Sequence, residues 1–464
     1  MECVCVLSSF DLVLKGGRVV DPVYGFDGIM DVAIDEGRIA AVEPWIDVSQ
    51  GKSFLNMSGR VVIPGIIDPH VHIRTAGHRN MARVGVVTAV DVSAPMSDLL
   101  ESTMEVGTGM NVACITSVHR FVREPRPSRS ELDRMLDEYL SSGALGLKLI
   151  QEPLPHETII EAIVAANERK AFVKLDCGVT PEGSNINGLR WIVEAVGSDL
   201  HLDIAHVNSY CRGQVEDPIE EALEAIHILD GKRNIQSESY FGIINGTNGK
   251  IVNGVPLNGT ARYCLRLGGY PETAEGMKKA LLDGYCKVSE EYRGETILLE
   301  GKEALDAWLK MDERIVSFPI NIPSIAILLA TRKDREKRFV INAFSTDGGS
   351  IPRNLIADSG LALVKYGALS LREFVIKSSY NPSRMYGLLR KGSMGIGMDA
   401  DITVLDLERC RAVMGIARGK VIMVDGVVVG RGGTVITTEE GVKTVKATGL
   451  PYDIIDTREC GLYS

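Results

Sequence analysis

The sequence predicts an α/β protein: a (β/α)8 TIM barrel carrying a small β-sandwich domain built from both ends of the chain. Three observations predict it. Between about residues 61 and 395, short apolar runs alternate with amphipathic helical segments, and eight such runs can be counted. The first 60 residues and those after 396 alternate apolar and polar positions instead, as small antiparallel strands do. The first apolar run ends in two histidines one residue apart, and polar residues recur at the ends of later runs, where a barrel of this kind gathers its chemistry.

Near the start, "DLVLKGGRVVDP" and "MDVAIDEGRIAAVE" read as antiparallel strands, the second turning at Glu36-Gly37. Near the end, "ADITVLDLE" and "GKVIMVDGVVVG" repeat that texture, with a hairpin at Asp425-Gly426. Residues 1–60 and 396–464 are therefore expected to form one composite β-sandwich, and residues 61–395 the barrel. The barrel runs are Gly65 to His72, "VVTAVDVSA", "NVACITSV", "LGLKLIQ", "AFVKLDCG", "LDIAHVN", "NIQSESYF" and "FVINAFSTDGG". Helices separate them. In "SELDRMLDEYLSSGA", Leu132, Met135, Leu136, Tyr139 and Leu140 fall on one face, with Gly143 as the stop; "HETIIEAIVAANERK" and "DPIEEALEAIHILDG" read alike. The stretch from about 242 to 338 is too long for a βα connection and is expected to form a subdomain or lid over the mouth.

The bulk numbers exclude several classes. No stretch approaches the length of a membrane span, and the N-terminus lacks a basic segment followed by an apolar core, so a soluble cytoplasmic protein without a membrane partner is expected. The net charge of −10, with no Lys/Arg cluster, argues against nucleic acid. Nine cysteines in irregular spacing are expected to be reduced, with Cys3 and Cys5 at the N-terminus incidental.

Chemistry concentrates at the strand ends. In an extended chain residues i and i+2 point the same way, so His70 and His72 project together, a metal-ligand geometry. Lys148 lies between leucines in the fourth run, Asp176 and Cys177 end the fifth, His206 is in the sixth and Asp347 ends the eighth. A lysine flanked by leucines either pairs its ammonium, with Asp347 or Glu152 in reach, or loses its charge. A neutral lysine is a nucleophile and can add CO2 to give a carbamate whose two oxygens bridge metal ions. The glycine-rich "ESYFGIINGTNG" follows the seventh run, so Asn208, Tyr240 and Asn245 are read either as pocket-lining substrate contacts or as parts of an ordinary structured loop. His78, His119, His156, His201 and His227 have no partner spacing that singles them out, although His119 follows the third strand.

"PGIIDPHVHI", "GLKLI", "AHVNS" and "STDGG" resemble, in order, the signature of the metal-dependent amidohydrolase superfamily, which includes dihydroorotases and hydantoinases. "LREFVIKSSYNPSRMYGL" and "GSMGIGMDADITVLDL" resemble its closing segment, so the likeness spans nearly the whole chain outside the insertion. Within the superfamily, "VVDPVYGFDGIMDVAIDEGRIAAVE", "LHLDIAHVNSYCRG" and "NIQSESYFGIINGTNGKIVNGVP" are similar in texture to the A subunit of formylmethanofuran dehydrogenase.

The resemblance implies two divalent ions, zinc in the first instance. His70 and His72 would bind one, His206 the second, with Lys148 carboxylated by CO2 and bridging both. Asp347 would bind metal and carry the proton. The chain departs from the pattern at the fifth strand, where the superfamily usually has a histidine and Asp176 stands instead; a carboxylate can replace an imidazole on zinc provided it points inward. Arg74, two residues beyond His72, resembles an arginine that grips a substrate carboxylate in dihydroorotases, and it reads equally as a solvent-facing arginine.

The activity implied is hydrolysis of a C–N bond in a non-peptide amide, cyclic amide or N-formyl small molecule, in a homo-oligomer. The alternatives are a catalytically silent dihydropyrimidinase-like scaffold and a formyl-transferring subunit of a larger complex. Retention of His70, His72, Lys148, His206 and Asp347 together argues against silence.

Overall fold

The structure is a computed structural model describing residues 9–118, 126–152, 154–180, 183–311 and 314–463; Cys3, Cys5 and His119 lie outside the described residues. Eight strand positions form a closed parallel barrel. They are β1 (Ile66–His72), β2 (Val86–Asp91), β3 (Thr108–Cys114, resuming as Thr116–Ser117), β4 (Gly146–Ile150), β5 (Phe172–Asp176), β6 (Leu202–Ile204), β7 (Ile235–Tyr240) and β8 (Ala343–Ser345, resuming as Gly348–Gly349). Each pairs in parallel with the next in sequence, and the second part of β8 returns to β1 through Val71 opposite Gly348.

Outside the strands lie α1 (Thr75–Ala82), α2 (Met96–Val106), α3 (Arg129–Ser142), α4 (His156–Glu168), α5 (Ile186–Val196), α6 (Pro218–Leu229), α7 (Pro323–Thr331) and α8 (Ile356–Lys365). The strands are apolar because helices and barrel interior cover both faces. α3 begins with a reciprocal capping box between Ser128 and Glu131 and stops at Gly143, whose φ of 110° a Cβ would disfavour; Leu132, Leu136, Tyr139 and Leu140 are its buried face.

The two ends of the chain meet in one nine-stranded sheet, in which Val61–Pro64 joins the N-terminal strands to the C-terminal ones. Residues from both halves share one apolar cluster, among them Leu14, Val19, Ile34, Val62, Val404 and Ile416. The two chain ends thus form one continuous sheet over a shared apolar cluster, in place of two separate facing sheets. The hairpins turn where expected: Glu36 and Gly37 (φ 46° and 75°), and Asp425 and Gly426 (φ 47° and 82°), all adopt the left-handed region that tight turns require.

Three details differ from the sequence reading. The run from Val61 to Ile67 is divided between two sheets at Gly65, where an added Cβ would stand 3.0 Å from Val87 and 3.1 Å from the Asp401 backbone. The strands Gly432–Thr437 and Tyr452–Ile454 leave the end sheet and extend the barrel sheet beside β3. They do so because β3 pairs with β4 only from Thr116 onward, so its first half has an edge that another strand must satisfy. The insertion ends earlier than expected. It builds a sheet from Asn245–Asn248, Ile315–Phe318, Lys287–Tyr292 and Glu295–Leu299 around Tyr263, Met277, Leu281, Trp308 and Phe318. From Ile325 onward, α7 packs in the barrel core as the helix of the seventh unit. The far hairpin of the insertion reaches α1, where Asn80 donates to Thr296 Oγ1 at 2.9 Å and Thr75 donates to Glu291 at 2.7 Å. Among the described residues no helix is long and apolar enough to cross a membrane.

Candidate metal centre

The pleat of β1 sends His70 and His72 inward while Val71 between them joins the outer core. The two imidazoles stand 5.6 Å apart, and the His206 ring lies 5.0 Å from that of His70. His70 is wholly buried. Its Nδ1–H donates to Glu238 Oε1 at 2.5 Å, which directs the Nε2 lone pair into the centre, where Lys148 Nζ stands 3.1 Å away and Asp347 Oδ1 3.5 Å away. His72 Nδ1 is 2.9 Å from Ser93 Oγ, and its Nε2 is 2.8 Å from Asp347 Oδ1. Asp176 faces inward, as a ligand in place of histidine must, with Oδ2 3.4 Å from His206 Nε2. Ligand atoms of His70, His206 and Asp347 all fall within 4.8 Å of one another.

Two of these residues occupy backbone conformations that non-glycine residues rarely adopt: His206 (φ 32°) and Asp347 (φ 47°). Asp347 sits where β8 breaks, and its N–H donates to His70 O at 2.9 Å, so the kink points its carboxylate at the histidines without opening the barrel. Strain at a site-lining residue costs on the order of 1–3 kcal/mol and persists only where surrounding structure holds it.

The electrostatics favour a cation. Burial would raise the Asp347 carboxyl, yet the Arg353 guanidinium at 2.5 Å and the His72 hydrogen bond hold it well below the carboxylate range. Asp176 is likewise lowered against its burial, chiefly by His206. Burial pushes His70 far down, with Lys148 and Lys174 adding to it, so the ring is neutral, the form that could bind a metal. Burial lowers Lys148 too, against the pull of Asp176 and Asp347, and no carboxylate lies within ion-pair distance of its Nζ among the described residues. Two features test whether metal suits this donor set: His206 Nδ1 is buried without a partner among the described residues, and a carboxylate behind His70 fixes its tautomer. Both fit.

These groups open on a cavity of about 290 Å3 lined by His72, Arg74, Lys148, Asp176, His206, Asn245 and Asp347. Tyr240 and Asn208 support its wall instead. The Tyr240 hydroxyl receives Asn321 at 3.0 Å and Arg353 at 3.2 Å, and Asn208 Oδ1 accepts from the Tyr240 N–H at 3.0 Å. Among the other histidines, His156 stacks on Trp191 with ring centres 3.7 Å apart, His78 lies on α1 and His227 on α6, and His201 lies 5.4 Å from the Tyr463 ring. All seven described cysteines are free, and burial pushes the Cys177 thiol up, away from ligand character.

Sequence reasoning missed the layer beneath the centre. Lys174 Nζ contacts Asp203 at 2.7 Å and Glu238 at 3.2 Å, all three fully buried, and Ser345 donates to Glu238. Its signal was present: Lys174 stands two residues before Asp176 in a buried strand, the same anomaly as Lys148. Arg212 and Arg353 were missed because they lie in loops with no periodicity to read.

The sequence profile described as the amidohydrolase family matches residues 302–430. A dihydroorotase of Geobacter metallireducens is 22% identical over 432 residues, covering 85% of this chain and 90% of its own. Along this segment and along nearly the full length of such relatives, the chain is similar to amidohydrolases. Solved amidohydrolase relatives share the fold at low identity. A D-aminoacylase whose binuclear metal centre has been studied is 17% identical, with 92% of this chain and 99% of that one covered at a TM-score of 0.66. An N-acyl-D-glutamate deacylase from Bordetella bronchiseptica, complexed with zinc and a phosphonate inhibitor, is 14% identical with the same coverage and a TM-score of 0.65.

Proposed function

We propose that this protein is a metal-dependent hydrolase of a C–N bond in a non-peptide amide, cyclic amide or N-formyl compound. The observation that carries the reading is the convergence of His70, His72, Lys148, Asp176, His206 and Asp347, from five barrel strands, on one cluster at the mouth. In our reading two divalent ions, zinc by preference for nitrogen and carboxylate donors, are held by these residues, with Lys148 as a carbamate. Bound ions of this kind supply Lewis acidity toward a carbonyl and toward water.

The chain's own groups do the rest. Glu238 holds the His70 ring in the tautomer that presents Nε2. Arg353 keeps Asp347 ionised, so that its carboxylate begins the reaction as a base, takes a proton from the attacking water and hands it to the leaving nitrogen. Lys148 is desolvated, so its amine is the form that adds CO2, giving a carbamate and releasing one proton. Dihydroorotase and deacylase relatives support an amide substrate.

Elemental analysis of purified protein, followed by assays on N-formyl and N-acyl amino acids, hydantoins and dihydroorotate, tests the reading. Stoichiometric divalent metal with turnover of one panel member is expected; protein that stays metal-free after supplementation would favour the silent-scaffold alternative.

A further inference from the structure

The cavity carries a charged feature that the hydrolytic reading leaves unused. Arg212, in the segment after β6, is only 6% exposed and lines the same cavity as Lys148 and Asp347. A guanidinium cannot shed its proton, so a buried one must find acceptors. Its Nε and Nη2 donate to Asn321 Oδ1 at 2.9 and 2.7 Å, and Nη2 also to Asn245 Oδ1 at 3.3 Å. Both partners are neutral amides. No described carboxylate pairs with it, and no described residue accepts from its Nη1.

The nearby acids are already occupied. Glu221, on α6, accepts the backbone N–H groups of Gly213, Gln214, Val215 and Glu216 at 2.8 to 3.2 Å. That cradle also fixes the loop that carries Arg212. Asp347 is bound by Arg353 and His72, and Asp176 faces His206. Among the described guanidinium and carboxylate groups lining the cavity, Arg74, Arg212 and Arg353 stand against Asp176 and Asp347.

We propose that Arg212, together with Asn245, is the receptor for a carboxylate on the substrate. The amide hydrolysed then belongs to an N-acyl or N-formyl amino acid, or to a carboxylated cyclic amide, and not to a neutral one. The proposal rests on the hydrolytic reading above. It moves the anion-binding role away from Arg74, which is exposed and whose backbone N–H is engaged by Ser350 Oγ at 2.9 Å. An exposed charge is screened by solvent, whereas a buried guanidinium pairs a carboxylate strongly and is left unsatisfied by a carboxamide in its place.

The test is calorimetric binding of N-acetylglycine and N-acetylglycinamide to the metal-loaded protein, with kcat/KM for the same pair wherever turnover occurs. Wild type is expected to prefer the acid by about 100-fold. Arg212→Gln should reduce that preference to about threefold or less, and Arg212→Lys, which keeps the charge but loses the fork, should fall between. Equal binding of acid and amide by wild type overturns the proposal, and so does an undiminished preference in an Arg212→Gln protein that melts like wild type. If Arg212→Gln fails to fold, the wild-type comparison and Arg212→Lys decide. Carboxylate preference without hydrolysis would sink the hydrolytic reading and leave the receptor standing; equal hydrolysis of neutral and acidic amides would do the reverse.

Discussion

His70 donates from Nδ1 to Glu238 across 2.5 Å inside the barrel, and Glu238 is in turn held by Lys174 and Ser345. The histidine proposed as a ligand is thus steered from behind by a carboxylate that does not line the cavity. Glu238→Gln should lower metal affinity about 10- to 100-fold, measured by competition with a chromophoric chelator, while the fold persists by circular dichroism. Unchanged affinity would mean that the pair only relieves a buried charge.

Lys148 stands in the cluster of His70, His206 and Asp347 with no carboxylate among the described residues within ion-pair distance. Lys148→Ala should lose metal and activity together, and short carboxylic acids with bicarbonate should partly restore both. Lys148→Arg should stay inactive, because a guanidinium remains protonated and cannot be carboxylated. Intact native mass, compared between protein with and without bicarbonate, reads the modification directly.

Asp176 contacts only His206 among the cluster histidines. If the centre holds the two ions proposed, Asp176→Ala should deplete one of them in elemental analysis, while Asp176→His should keep both. Loss of both ions from Asp176→Ala would show that the centre binds cooperatively.

His78 is buried on α1 with Nε2 3.1 Å from Ser102 Oγ, and burial lowers it to about 4 from an ordinary value of 6.5. The unfolded chain then binds the extra proton as pH falls through 6.5, and the folded chain only near 4, so stability contributed by the neutral ring is present at pH 7 and lost across that window. The loss amounts to about 3 kcal/mol. His78→Gln should flatten the fall in denaturant midpoint between pH 7 and pH 4.5; an unchanged slope would place the acid sensitivity elsewhere.

Gly430 lies where the C-terminal chain crosses β3, and an added Cβ would stand 2.1 Å from Thr108 O. Gly430→Ala should cost about 1–3 kcal/mol in urea unfolding by pushing that strand off its partner. A smaller loss would mean that the edge of β3 does not depend on this crossing.

Much of this architecture was readable because it is local. The apolar face of α3, the Glu36-Gly37 and Asp425-Gly426 turns, and the paired projection of His70 and His72 each follow from periodicity or turn chemistry over a few residues. The missed features depend on distant partners. Nothing near Gly432–Thr437 says that it pairs with β3, and the run Val61–Ile67 carries no mark of being shared between two sheets. Lys174 is an anomaly visible in its own buried strand, but its partners Asp203 and Glu238 come from two other strands that only the closed barrel brings together. Tyr240 ends β7 and Asn208 follows β6, and their polar atoms turn toward Arg353, Asn321 and backbone, a direction that residue spacing does not reveal.

The barrel closes where Val71 meets Gly348, and His70 and His72 lie on one side of that closure with Asp347 on the other. An ion gripped from both sides would act as a rivet through the seam between the first and last strands, so that filling the site and latching the barrel become one event. Removing it would be felt first as fraying at this clasp, in faster hydrogen exchange of the Asp347 and Ser350 amides that bond His70 and His72 across it, before the remainder of the barrel loosens.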